Sequence, residues 1–304
     1  MCDEFHHAEG VFMQHGLHLH LPDVPKDEFV LKRNAAVMIA RATQQITERG
    51  NYVNEAGEEH DIRKLLATAN TQTSAISATT VLPTRQPAYQ QLYTFVHNQT
   101  TLAVAHARHK RGYRVAILNF THPTNFGSGW LSGRNAQEAS LMRSTGLMHC
   151  LQDQVWYRDP VHTVNPFYDD TVIVSPHVPV FRGHDGDLLD QPWDAHIISA
   201  APVHVRAVRR YMPARIAEVP LTVARRATRI IEVAASTKAN VLVLGAWGCG
   251  RFGNNPDVIA SAFQAAFESP AIRRFAIIDF AVPDVSLGTP LFHTFRKRLD
   301  EQTY

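Results

Sequence analysis

The chain has 304 residues, 45% of them hydrophobic, and sets 30 Lys and Arg against 28 Asp and Glu for a formal net charge of +2. That is enough chain for one large core, and the near-neutral balance removes bulk charge as a reason to expect nucleic-acid or membrane binding. Cys2, Cys150 and Cys249 are too few and too widely spaced for a disulfide framework or a metal site, and no apolar run approaches the length of a membrane span.

Residues 1–26 are His-rich and poorly patterned, and are assigned to an N-terminal extension, leaving 27–304 as one domain. Acidic and His residues precede any apolar run, so the basic start of a signal peptide is missing and a cytoplasmic location is expected; an effector exported by a non-classical signal would look the same. His18 and His20 would share one side of a strand, a feasible metal pair, but no third ligand is at hand, so neither metal nor cofactor is expected. Residues 34–46 read as a helix with Ala35, Met38, Ile39, Ala42 and Ile46 on one face, and Gly50 stands where a C-cap belongs. Residues 52–53 and 60–62 flank Glu55, Ala56 and Gly57 as a hairpin would. The Thr, Ser and Ala-rich stretch 66–80 reads as a loop or a poor helix. Residues 101–110 read as a helix leading into a strand over 114–119.

In the second half, 172–175 and 196–200 read as strands, and Val223, Ala227, Ile230, Ile231 and Ala234 mark an amphipathic helix. Residues 241–244 form a short buried strand. Asn255 caps a helix with Pro256 at its first position, and 275–280 is the next strand. Strands alternating with helices predict a three-layer α/β domain. No internal repeat or linker interrupts it.

Two glycine loops carry the functional signal. The first follows the strand over 114–119, holds Gly127, Gly129 and Gly133, and opens into a helix at Gln137 and Glu138. Glycine lets backbone approach a ligand closely, and the N–H groups at a helix start favour anions, so a phosphate-bearing ligand fits. The second, from Gly248 through Gly250 to Gly253, also lies between a strand and a helix. It matches G-x-G-x-x-G, with Asp279 ending the next strand as a dinucleotide fold's acidic residue would. A nicotinamide dehydrogenase is therefore a rival reading. Its position counts against it, since such a fold needs further βαβ units and only about fifty residues follow.

The first loop resembles the signature of the microbial-type poly(ADP-ribose) glycohydrolases, a branch of the macrodomain fold: three glycines, six to eight residues, then Gln-Glu-Glu. Here the glycine places read Gly127, Ser128 and Gly129, and the end reads Gln137, Glu138 and Ala139. Arg33-Asn34-Ala35, Gly50-Asn51-Tyr52, Ser175-Pro176 and Leu244 to Gly250 are similar to family landmarks in the right order. The resemblance implies an α/β/α macrodomain with a mixed central sheet that binds ADP-ribose. It also implies that Asn119, Gly127, Ser128, Gly129, Trp130 and Gln137 line the ribose side. Gly248, Cys249, Gly250 and Arg251 would cradle the diphosphate, and Phe252 would pack on the distal ribose. Trp130 could equally be plain core.

Three departures qualify it. Ala139 stands where the family's catalytic acid belongs, His122 replaces the second Asn of the family's Asn-Phe-Ala-Asn segment, and Ser128 replaces the middle glycine. A methyl group cannot protonate a leaving group. The resemblance gives Glu138 the ribose hydroxyls, and leaves His122 or a carboxylate from the acidic stretch 184–194, here Asp187, as a stand-in acid. That stretch reads more simply as a solvated turn at Asp185-Gly186. The expected function is removal of ADP-ribose from modified protein side chains, arginine-linked single units among them, because acidic side chains would suit a guanidinium. The alternatives are a non-catalytic reader of ADP-ribosylated protein, or a glycohydrolase inactivated at Ala139. The basic pairs Arg209-Arg210, Arg225-Arg226 and Arg273-Arg274 are dispersed and read as solvated faces, with no nucleic-acid partner.

Overall fold

The computed structural model describes residues 19–21, 30–83 and 86–304; His6, His7, His15, His18 and most of the segment assigned to the N-terminal extension lie outside the described residues. Helix α1 (Arg33–Arg49) buries Ala36, Ala40, Thr43, Ile46 and Thr47. The face expected from Ala35 and Met38 is rotated outward, and Met38 is 71% exposed. The glycine loop packs against the start of α1, where a Cβ on Gly133 would meet the Arg33 carbonyl oxygen at 2.5 Å. Gly50 ends α1 in the left-handed region (φ 76°), donating its N–H to Ile46 O. A Cβ there would also strike the Arg63 side chain.

Strands β1 (Asn51–Val53) and β2 (Glu59–Asp61) pair as the expected hairpin. The Thr/Ser/Ala stretch resolves into α2 (Arg63–Gln72) and β3 (Ser74–Ile76). Next come β4 (Tyr93–His97), α3 (Thr101–Lys110) and β5 (Val115–Phe120). Beyond the first glycine loop lie α4 (Gln137–Ser144), α5 (Leu147–Leu151) and α6 (Val161–Val164). Strands β6 (Val172–Arg182) and β7 (Leu188–Ala200) make a hairpin much longer than its apolar ends suggested. Then follow α7 (Val205–Tyr211), α8 (Val219–Ala235), β8 (Val241–Gly245), α9 (Pro256–Ala266), β9 (Ile277–Ala281), α10 (Pro290–Leu299) and β10 (Gln302–Thr303).

Eight strands form one mixed sheet in the order β10-β4-β9-β8-β5-β7-β6-β3. The run from β4 to β7 is parallel, and β10, β6 and β3 run against their neighbours. Side chains alternate between two cores: Val115, Ile117, Val241 and Val243 face one, Ala116, Leu118, Leu242 and Leu244 the other. Helices α1 to α5 cover the first face and α7 to α10 the second, which is the three-layer arrangement expected. Central strands buried on both faces read as continuous apolar runs for this reason. Among the described residues no helix is long and apolar enough to cross a membrane.

Two buried ion clusters tie the layers together. Arg108 donates from Nε and Nη2 to Asp279 at 2.7 and 2.8 Å, and His97 Nε2 lies 2.8 Å from the same carboxylate. Asp279 is fully buried in this cluster, so it is not available to hold a nucleotide ribose as the dehydrogenase reading required. Arg226 is also buried, bonded to Asp170 and to the carbonyls of Phe167 and Ala201. The solvated face expected for that position is therefore replaced by a structural cation that fixes the segment before β6.

Candidate active site

Parallel strands β5 and β8 lie side by side, so the loops leaving their carboxyl ends face each other. Ligands of open α/β sheets bind in this crevice. Here the two glycine loops enclose a cavity of about 690 Å³, with walls that include His122, Asn125, Ser128, Arg134, Gln137, Glu138, Gly248, Gly250, Arg251 and Phe252. The first loop makes its bend with three consecutive left-handed residues, Gly127 (φ 65°), Ser128 (φ 51°) and Gly129 (φ 78°). Beneath it, Trp130 is core: a Cβ on Gly127 would press on its ring at 2.6 Å.

Gln137 stitches the start of α4 to the end of β5. Its Oε1 accepts from the Phe120 N–H at 3.0 Å and its Nε2 donates to Leu118 O at 2.8 Å. This turns the next residue, Glu138, toward the loop. Glu138 is 1% exposed and is the only carboxylate on the cavity wall among the described residues. Its Oε1 accepts from Thr121 Oγ1 at 3.0 Å; its Oε2 accepts from Ser128 Oγ at 2.6 Å and from the His122 N–H at 3.2 Å. Burial pushes this carboxyl up to about 7, and the Ser128 and Thr121 hydroxyls only partly oppose that rise. Such a group can hold and release a proton near neutral pH.

Phe252 is wedged between rings. His204 stacks on it with centroids 4.3 Å apart, and His122 meets it edge-on at 5.0 Å. Burial first, then His204 and the Arg251 charge, hold the His122 imidazole down at about 4. His122 is therefore neutral near pH 7, not the protonated acid that one reading of the sequence allowed. On the second loop, Gly250 has open space where a Cβ would stand, so its backbone is bare toward the cavity. Cys249 does not line the wall, and burial holds its thiol up at about 12.

The remaining expected residues fall outside. Ala139 is fully buried in the inner core and does not line the cavity. Asn119 lies behind the wall, its Nδ2 donating to Thr121 Oγ1 and Ser199 Oγ. Asp187 sits in the β6–β7 turn, where its carbonyl accepts from the Gly183 N–H. Gly186 takes the left-handed conformation of that turn and packs toward Ile39 of α1, so the stretch around Asp187 is structural. Thr121, Tyr157 and Arg134 were not picked out from sequence. Nothing local marks Thr121 or Tyr157, whose hydroxyls meet at 2.9 Å across 36 residues. Among the described residues, no group of three His, Cys, Asp or Glu is arranged to hold a metal ion.

Residues 40–183 match the model of the microbial-type PARG catalytic domain. Poly(ADP-ribose) glycohydrolase from Thermomonospora curvata superposes with a TM-score of 0.78 at 32% identity, covering 88% of this chain and all of the other. The same enzyme bound to the inhibitor ADP-HPD gives 0.77. The Deinococcus radiodurans enzyme in complex with ADP-ribose gives 0.71 at 33% identity, covering 77% of this chain and 96% of the other. The chain belongs to the microbial-type poly(ADP-ribose) glycohydrolase family. No curated protein matches it by sequence. The mixed sheet and facing glycine loops are thus the framework of this glycohydrolase family, with Glu138 as the carboxylate that faces the cavity.

Proposed function

We propose that this protein hydrolyses the glycosidic bond that joins ADP-ribose to another group, with Glu138 as proton donor. One observation carries the reading: Glu138 is the sole wall carboxylate among the described residues and is held near neutral affinity for its proton. As the bond from the anomeric carbon to the departing oxygen breaks, Glu138 gives its proton to that oxygen. Water adds to the carbon, and the proton that water releases returns to the carboxylate. Arg134 and Arg251 on the wall suit a diphosphate, as does the bare backbone at Gly250. The solved relatives, one with ADP-ribose and one with ADP-HPD, support the same ligand class.

The charges on the cavity wall favour one linkage over the other. Asp185, Asp187, Asp190 and Asp194 do not line the cavity, whereas two arginines do. A cationic arginine leaving group gains nothing from those arginines, so oxygen-linked ADP-ribose, in polymer or at a polymer end, fits better than the arginine-linked unit. The test is release of ADP-ribose from poly(ADP-ribose) and from arginine-modified protein, followed by mass spectrometry. Turnover of the polymer that is lost in Glu138→Gln, with ADP-ribose binding retained, supports the proposal. Ala139 favours the reader as second reading, and calorimetric binding of ADP-ribose without turnover of either substrate would select it.

A further inference from the structure

Two hydroxyls from separate parts of the chain bond Glu138, and a third backs one of them. Ser128 reaches Oε2 from the glycine loop and Thr121 reaches Oε1 from the end of β5. Tyr157, from the segment between α5 and α6, stands 2.9 Å behind Thr121. The arrangement at Thr121 leaves little freedom. A hydroxyl has one proton and two lone pairs. With Glu138 ionised, the proton goes to Glu138, and the lone pairs face Asn119 Nδ2 at 2.9 Å and the Tyr157 hydroxyl. Asn119 is fixed in turn by Ser199 of β7.

Two of these hydroxyls sit where the family pattern has none. Ser128 replaces the middle glycine, and Thr121 occupies the Ala place of Asn-Phe-Ala-Asn. Both bond Glu138. Ser128 does so from a left-handed backbone that glycine would adopt without strain.

We propose that Ser128 and Thr121 are positioning residues that orient the Glu138 carboxyl for proton transfer, with Tyr157 holding the Thr121 hydroxyl in place. This rests on Glu138 being the proton donor. The ionisable groups around it are the His122 imidazole on the loop after β5, the Tyr157 phenol behind Thr121, His204 beyond His122, and Arg134 and Arg251 on the wall. Burial holds Tyr157 well above its ordinary range, and His122 is held at about 4. Burial also holds His204 below its ordinary value, so a rate limb between about pH 6.5 and about pH 9 reports Glu138.

The test measures kcat and KM across that range for Ser128→Ala, Thr121→Val and Thr121→Ser, with Glu138→Gln as reference. Each lost hydroxyl removes a donor to the carboxylate, so the alkaline limb should move to higher pH. In the Ala and Val variants kcat should fall by roughly tenfold or more while KM stays within about twofold, and Thr121→Ser should restore both limb and rate. A residue with only a structural role would change melting temperature and leave the limb in place. An unmoved limb and unchanged kcat in both variants, with Glu138→Gln inactive, overturns the inference. Full activity in Glu138→Gln overturns the reading beneath it instead. If the wild type binds without turnover, infrared titration of the Glu138 carboxyl gives the same answer: an unshifted midpoint in Ser128→Ala and Thr121→Val overturns the inference. Ser128→Gly, which relaxes the backbone, replaces Ser128→Ala if the latter fails to fold.

Discussion

Ser128 Oγ lies 2.6 Å from Glu138 Oε2, and Ser128 makes that contact at φ 51°. A left-handed serine costs roughly 1–2 kcal/mol against the right-handed alternative. Once Glu138 is ionised, above about pH 7, a hydrogen bond to it returns about 1.5–3 kcal/mol. The contact is thus strong enough to hold a strained residue, and it sets a buried carboxyl in a helix start that faces an open cavity.

The raised pKa of Glu138 has a stability consequence with a definite sign. An unfolded glutamate binds its proton near 4.3, whereas the folded one does so at about 7. The folded state holds more protons between those values, so this residue's contribution is full below the unfolded pKa and is lost as pH rises through about 7. The change amounts to ~4 kcal/mol at most. Glu138→Gln has no such titration. Its Tm relative to wild type should therefore rise between about pH 5 and about pH 8.5, by several degrees for a stability change of this size. A difference independent of pH in differential scanning fluorimetry would show that Glu138 titrates normally.

His122 touches Glu138 through its backbone N–H, which any residue supplies, while its imidazole packs against Phe252. Replacing it with Asn should leave the shape of the kcat profile between about pH 5 and about pH 8 unaltered. The loss in kcat should stay below the roughly hundredfold to ten-thousandfold expected on losing a general acid. Disappearance of a rate limb in His122→Asn would assign the acid to His122 after all.

The parts of this molecule legible in the sequence are those fixed locally. Asn255 and Pro256 announce the start of α9, and Gly50 the end of α1. The two glycine loops were legible as ligand loops, but only the parallel pairing of β5 with β8 makes them face each other. Contacts between distant segments were not legible. β4 is short and has no alternating pattern to mark it, yet it pairs on both sides within the sheet. Arg226 looked like a surface cation because its partner Asp170 lies 56 residues away. Glu138 read as a ribose ligand beside an absent acid; its raised pKa comes from burial in the folded chain, and its hydrogen bonds come from Thr121 and Ser128, which no spacing rule links to it.

Acid should destabilise the fold despite Glu138. Burial, reinforced by His177, holds His196 down at about 4, and burial likewise depresses His106 and His122 to about 4. Each contribution is present above the unfolded histidine value of about 6.5 and is lost as pH falls toward 4. Three histidines outweigh one glutamate of opposite sign, so stability in urea should be lower at about pH 4.5 than at about pH 7. His196 is the most buried of the three, at 6% exposed. His196→Gln should reduce that loss, and an equal loss in the variant would place the titration elsewhere.

The Arg108–Asp279 pair should behave differently from the surface ion pairs. Burial alone would raise the Asp279 carboxyl, but Arg108 and His97 together outweigh it and hold it at about 2. Neither partner is exposed, and Arg108 Nη1 also donates to Leu19 O at 2.7 Å, anchoring residues 19–21 on α3. Asp279→Asn leaves a buried guanidinium without its counter-charge and should cost about 3–5 kcal/mol in urea unfolding. Arg108→Met should cost a similar amount and, in addition, release Leu19. Limited proteolysis should then cut near residues 19–21 faster in Arg108→Met than in Asp279→Asn. By contrast, Asp61→Asn, which breaks an exposed pair with Arg63, should leave the urea midpoint nearly unchanged. Equal and small effects at both sites would mean that the buried pair is no more than a satisfied polar contact, because desolvation then cancels the attraction that the geometry provides.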